Sequence, residues 1–191
     1  VAIGAVIFHF IYWGFGFLRM GTTGLTAQAL GAREFGEVRA IFYRALALGT
    51  AIALVIWLVQ TPVLWLATTL FEASAQIETL AGTYFHVRIW SAPAVLANYC
   101  LIGWFIGIGN TRAALLLQVW MNGLNIALDL LFVMGFGWDV AGVAAATVIS
   151  EYAAVGAGLL LFRRATRSMD AGGERPTIFD AGKIKRMMFI N

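Results

Sequence analysis

Three polar side chains in one apolar stretch concentrate the chemistry of this chain. Between Gln118 and Met134 (QVWMNGLNIALDLLFVM) stand Asn122, Asn125 and Asp129. Asn125 and Asp129 are four residues apart and Asn122 is seven from Asp129, so a helix carries all three on one face. A carboxylate inside such a helix is costly unless it has partners or a task. Withdrawn from water, it is able to take a proton from one side and release it to another, or to hold a small cation. A structural hydrogen-bonded pair, Asn125 with Asp129, is the alternative reading of the same residues.

The elements that must position this face are membrane helices. Of 191 residues, 61% are hydrophobic and only 12% charged, far below the roughly 25% charged residues of a soluble domain. The formal net charge of +3 does not indicate a nucleic-acid partner, because the basic residues fall between apolar runs and form no stripe with interleaved aromatics. The single cysteine, Cys100, lies in an apolar run and is read as a packing residue. The chain opens on Val1 within an apolar run and closes on MMFIN as another begins, so it is expected to be an internal piece of a longer protein. No basic segment precedes the first run, which argues against a signal peptide.

The apolar pattern predicts five spans, at about 1–32, 41–71, 79–108, 113–134 and 140–162, forming an all-α polytopic membrane bundle over 1–162. A charged linker follows over 163–186, and 187–191 is expected to start the next span. Within the first span, Gly21, Gly24, Ala27 and Gly31 predict a close-packing or cavity-lining face. Pro62 should kink the second. Gly109 and Asn110 are expected to stop the third. Arg33, Glu34, Glu37 and Arg39 are placed in the loop after the first span.

Orientation follows from the basic residues. All Lys and Arg except Arg19 and Arg88 fall on one side of this layout, in the loops holding Arg33, Arg39 and Arg112, near the start of the second span with Arg44, and in the linker. That side is expected to be cytoplasmic, at a bacterial-type inner (plasma) membrane, with the Asp129 end of its helix pointing outward. The fourth and fifth spans then form an antiparallel hairpin that brings Asp129 and Thr147 to similar heights. Tyr84 reaches the same level from the third span, so Tyr84, Asn125, Asp129 and Thr147 can cluster. One turn deeper, Arg88 and Glu151 can form an ion pair, more readily structural than a transport element. Tyr84 alone reads equally as an interfacial anchor, and Thr147 as a residue bonded back to its own helix.

The ordered segments GFLRMGTTGLTAQALGA, GTYFHVRIWSAPA, GIGNTRAALLLQVWMNGLNIALDLLFV and GVAAATVISEY resemble the multidrug and toxic compound extrusion (MATE) family, and most of all its DinF-like branch. The resemblance implies a twelve-span secondary transporter built of two six-helix lobes, of which this chain would supply spans two to six. It implies export of organic, often cationic compounds in exchange for protons or sodium ions, with no cofactor. It also implies that Asn125, Asp129, Thr147 and Tyr84 belong to a cation site, with sodium as a metal ion only at Asp129, Asn125 and Thr147. Arg88 and Glu151 are carried as accessory candidates, and the resemblance assigns Glu151 no role of its own. The site's remaining carboxylate would come from the first span, which with the C-terminal lobe is the expected protein partner, alongside the lipid bilayer. A lipid-linked precursor flippase of the same superfamily is the nearest alternative. An integral-membrane enzyme is not favoured, because no HExxH, nucleophile motif or acid and base at catalytic spacing occurs, and no catalytic residue is assigned.

Overall fold

The computed structural model describes residues 2–71, 75–167 and 182. It is an all-helical membrane bundle. Its helices are α1 (Ala2–Trp13), α2 (Gly16–Gly31), α3 (Phe35–Leu58), α4 (Gln60–Phe71), α5 (Ala75–Arg88), α6 (Ala92–Gly107), α7 (Thr111–Asp129) and α8 (Asp139–Arg167). Four stretches are long and apolar enough to cross a membrane: Phe35–Leu58, Thr79–Gly107, Thr111–Gly135 and Asp139–Arg167.

The expected first span is instead two helices broken at Gly14 and Phe15. With 12 and 16 residues, these reach only about 18 and 24 Å at 1.5 Å per residue, so only in succession do they match a ~30 Å core. The second expected span breaks too, at Val59. Pro62 has no N–H for the Leu58 carbonyl, so α3 ends at Leu58 and α4 starts at Gln60. Helix α3 begins at Phe35 rather than near 41, which moves Glu37 and Arg39 from loop to helix. Arg44 is buried and its guanidinium grips Glu37 at 2.5 and 3.1 Å. Helix α8 runs on to Arg167, five residues past the expected end; most of the expected linker and all of 187–191 lie outside the described residues. Asn110 does more than stop α6: its side chain accepts from the Ala113 N–H at 3.1 Å and so caps α7.

Helix α6 is the centre of the bundle, packing against α2, α3, α7 and α8. Trp104 is fully buried and donates its ring N–H to the Val38 carbonyl at 2.8 Å, while Phe42 and Phe162 close over it with ring centroids 6.3 and 4.7 Å away. The close approach of α2 to α6 depends on two glycines of α6. A Cβ on Gly103 would stand 2.6 Å from the Arg19 carbonyl oxygen, and one on Gly107 would stand 2.6 Å from Thr26 Cβ and 2.8 Å from the Thr23 carbonyl oxygen. Gly24 and Gly31 face open space. Thr23 Oγ1 uses the proximity to donate to the Gly103 carbonyl at 3.0 Å.

An alanine at 107 must therefore push two backbones apart. Gly107→Ala is expected to destabilise the full-length protein by about 1–3 kcal/mol, the usual cost of overpacking. Gly156→Ala, which meets nothing within 4 Å, is expected to be neutral or to gain a little from helix propensity. Thermal unfolding of the two purified variants in detergent separates these outcomes; equal melting temperatures would refute the packing account.

Candidate functional site

The site begins at a discontinuity in the third span. Helix α5 stops at Arg88, a 3₁₀ turn covers Ile89–Ser91, and Pro93 sits in the first turn of α6. Pro93 cannot donate to the Ile89 carbonyl, and Trp57 Nε1 of α3 supplies a hydrogen bond to that oxygen at 3.0 Å. The neighbouring Trp90 carbonyl receives the Tyr152 hydroxyl of α8 at 2.9 Å. These contacts fix the end of α5, and so fix Arg88.

Arg88 and Glu151 form a bidentate pair between α5 and α8, Nη1 to Oε2 at 2.9 Å and Nη2 to Oε1 at 2.8 Å. Both side chains are about nine-tenths buried. Arg88 also donates to Ser91 Oγ, and its guanidinium lies against the rings of Phe8 and Tyr12, 5.5 and 5.9 Å from their centroids. Asn98 of α6 donates to the Glu151 carbonyl at 3.1 Å. Both carboxylate oxygens of Glu151 are thus engaged by one guanidinium, the planar match that arginine and carboxylate favour.

One turn along each helix stand Tyr84 and Thr147. Tyr84 is buried with its ring edge towards Phe8, 6.2 Å between centroids. Thr147 Oγ1 donates to the Val143 carbonyl at 3.0 Å and accepts from Asn125 Nδ2 at 3.2 Å, which ties α8 to α7. Asp129 follows one turn later, as the last residue of α7. Directly after it, Leu130–Gly135 widen into a π-helical turn, a form that recurs at functional sites. Asp129 Oδ1 is buried and has no hydrogen-bond partner among the described residues. No bond joins Asp129 to Asn125, so the structural-pair reading of those two residues finds no support in the geometry.

The residues predicted together are brought together in two groups. A cavity of about 540 Å³ is lined by Tyr84, Arg88, Thr147 and Glu151, and also by Phe8, Tyr12, Arg19, Asn98, Tyr99 and Gln118. Asn125 and Asp129 do not line it; the Asn125–Thr147 bond connects them to its wall. Asn122 is exposed and accepts from Gln118 at 3.3 Å. Asn98 and Gln118 were not picked out as site residues by sequence reasoning, although each is a lone amide inside an apolar run, the same signal that marks Asn125.

With this geometry described, known proteins provide a comparison. The family model MatE matches residues 1–131. DNA damage-inducible protein F of Escherichia coli (strain K12) is 38% identical over 191 residues, all of this chain and 42% of that protein. Multidrug export protein MepA of Staphylococcus aureus (strain NCTC 8325 / PS 47) is 27% identical over 135 residues, 71% of this chain and 30% of that protein. Among solved structures, the outward-facing conformation of a multidrug resistance MATE family transporter of the MOP superfamily has a TM-score of 0.84 at 22% identity, over 98% of this chain and 42% of the other. A MATE in complex with MaD3S gives 0.83 at 23% identity, over 98% of this chain and 43% of the other. The chain therefore spans less than half the length of the relatives it matches.

Proposed function

The chain belongs to the MATE family, and from that premise we propose that it forms most of the N-terminal lobe of a secondary transporter that exports organic compounds in antiport with protons or sodium ions. The observation that carries the proposal is the polar ladder across α7, α8 and α5. Asp129, with a buried oxygen lacking a partner, is followed by the Asn125–Thr147 bond and then by the Arg88–Glu151 pair on the cavity wall. A cation arriving at Asp129 changes the charge at one end of this ladder, next to a helix end that is already irregular.

The energies suffice. Each unit of pH gradient supplies about 1.4 kcal/mol, and each charge crossing 100 mV about 2.3 kcal/mol. Such amounts bias two packings of a lobe that differ by a few kcal/mol. In the assembled transporter the first span would add a second carboxylate near Asp129, and the C-terminal lobe would close the pathway. The protein is multi-pass, and we assign it to a bacterial-type inner membrane with its basic loops in the cytoplasm.

The test is export by the full-length protein in proteoliposomes. An imposed proton or sodium gradient should drive net movement of a fluorescent organic dye, with one of the two ions effective. Dye movement indifferent to both gradients would reject the antiport reading.

A further inference from the structure

We propose that Trp57 and Tyr152 are positioning residues of the transport site: they clamp a hinge at Ile89–Ser91, about which α1, α4 and α5 turn as one outer layer that carries Tyr84. The proposal rests on the transporter reading and names how one wall of its site is moved. Three spans are broken at one level, at Gly14 and Phe15, at Val59 and at Ile89–Ser91. Side-chain contacts set that common level. Trp57, two residues before the Val59 break, packs on Trp90 with ring centroids 5.1 Å apart, and Tyr12, two before Gly14, lies against the Arg88 guanidinium. On the outer side of the breaks α1 and α4 pack on α5, whereas on the inner side α2 and α3 pack on α6. The breaks therefore divide these spans into two layers.

At the break in the third span, three successive carbonyls each accept a side-chain donor. Ser91 Oγ donates to the Arg88 carbonyl at 2.8 Å, Trp57 Nε1 to that of Ile89 at 3.0 Å, and the Tyr152 hydroxyl to that of Trp90 at 2.9 Å. A broken helix in hydrocarbon needs such partners, because no water is there to supply them. Two of these donors come from outside the span. Trp57 belongs to α3, in the inner layer, and Tyr152 to α8, which packs against both α5 and α6. Each bond joins residues of this chain to one another, so it does not depend on the segments that complete the transporter. Hinges are built from a few element-terminal residues that absorb the backbone change, and Ile89–Ser91 is such a segment between α5 and α6. Its angle matters because α5 carries Tyr84 and Arg88, which share the cavity with Thr147 and Glu151 of α8. Arg88, beside the hinge, keeps its pair with Glu151; Tyr84, one turn further along α5, moves relative to Thr147.

The test uses the full-length protein with Tyr152→Phe, which removes one hydroxyl and keeps the ring, and with Trp57→Phe, which removes the other donor. Gradient-driven dye export in proteoliposomes is measured against the concentration of the effective ion, proton or sodium. Each variant should shift the half-saturating ion concentration about threefold or more, the factor that one hydrogen bond of ordinary net strength represents. Tyr152→Phe should keep the wild-type melting temperature. Pulsed EPR distances between spin labels at Leu80→Cys on α5 and Ile106→Cys on α6, in a background free of other cysteines, read the hinge itself. Tyr152→Phe should broaden or displace that distance distribution. An unchanged ion dependence in Tyr152→Phe, with or without a fall in melting temperature, would overturn the proposal. So would a shifted ion dependence with an unchanged distance, because the hydroxyl would then act elsewhere than at the hinge. If the wild type exports no dye under either gradient, the transporter reading has failed, and the distance measurement alone decides whether the hinge exists.

Discussion

Asp129→Asn is expected to reduce gradient-driven export at least about tenfold, to the level of protein-free liposomes, while the purified variant keeps the melting temperature of the wild type. The amide preserves the volume of the side chain and most of its hydrogen-bonding capacity, and it removes one property, the change of charge on binding a cation. A ligand moves a conformational equilibrium only through a difference in its affinity for the two states. Carrying a lobe from 1:99 to 99:1 takes about 5.5 kcal/mol of such difference, and without an ionisable group here the gradient loses its handle. The structural cost of the change is small, because Asp129 Oδ1 has no partner to lose among the described residues. Parallel measurements of efflux and thermal unfolding test this. Full export in the variant would make Asp129 a structural residue, and joint loss of export and stability would assign it to folding.

A second large effect is expected at the ion pair. Arg88→Met should destabilise the protein by about 3–5 kcal/mol, because the carboxylate of Glu151 is left buried without a counter-charge. Both side chains are about nine-tenths buried, so little solvent reaches the abandoned group. Replacing both residues, Arg88→Met with Glu151→Met, should recover most of that loss, since a well-packed apolar pair is often as stable as the ion pair it replaces. Thermal unfolding of the single and double variants in detergent decides the point. Equal destabilisation in the two would mean that the cost comes from packing around Phe8, Tyr12 and Ser91 rather than from charge.

The helical membrane architecture was legible because apolar runs of span length and basic loops are properties of the sequence alone. The Arg88–Glu151 pair was legible for a related reason: a hairpin fixes relative heights, and two opposite charges at one height inside apolar helices have few other partners. Pro62 announced a broken helix, although the break falls at Val59, three residues earlier, whereas the break before Pro93 was not anticipated. The break at Gly14 and Phe15 was not anticipated, because glycine in a membrane helix carries no fixed meaning. The packing role of Gly103 and Gly107 was not legible for want of one fact, that α2 lies against them. The cavity was the least legible feature. Tyr12, Asn98 and Gln118 come from separate helices, and their convergence depends on how those helices are rotated about their axes, which periodicity does not determine. The π-helical turn after Asp129 likewise has no compositional mark beyond Gly135 and Gly137.

The central claim is that cation occupancy at Asp129 changes the packing of the α7–α8 hairpin. Hydrogen exchange of the full-length protein tests it most directly, read on peptides covering 118–150 across a pH series and a sodium series, in the wild type and in Asp129→Asn. The account predicts that exchange in this hairpin shifts with pH or with sodium in the wild type and that the shift disappears in the variant. An identical response in both proteins, or no response in either, would contradict it.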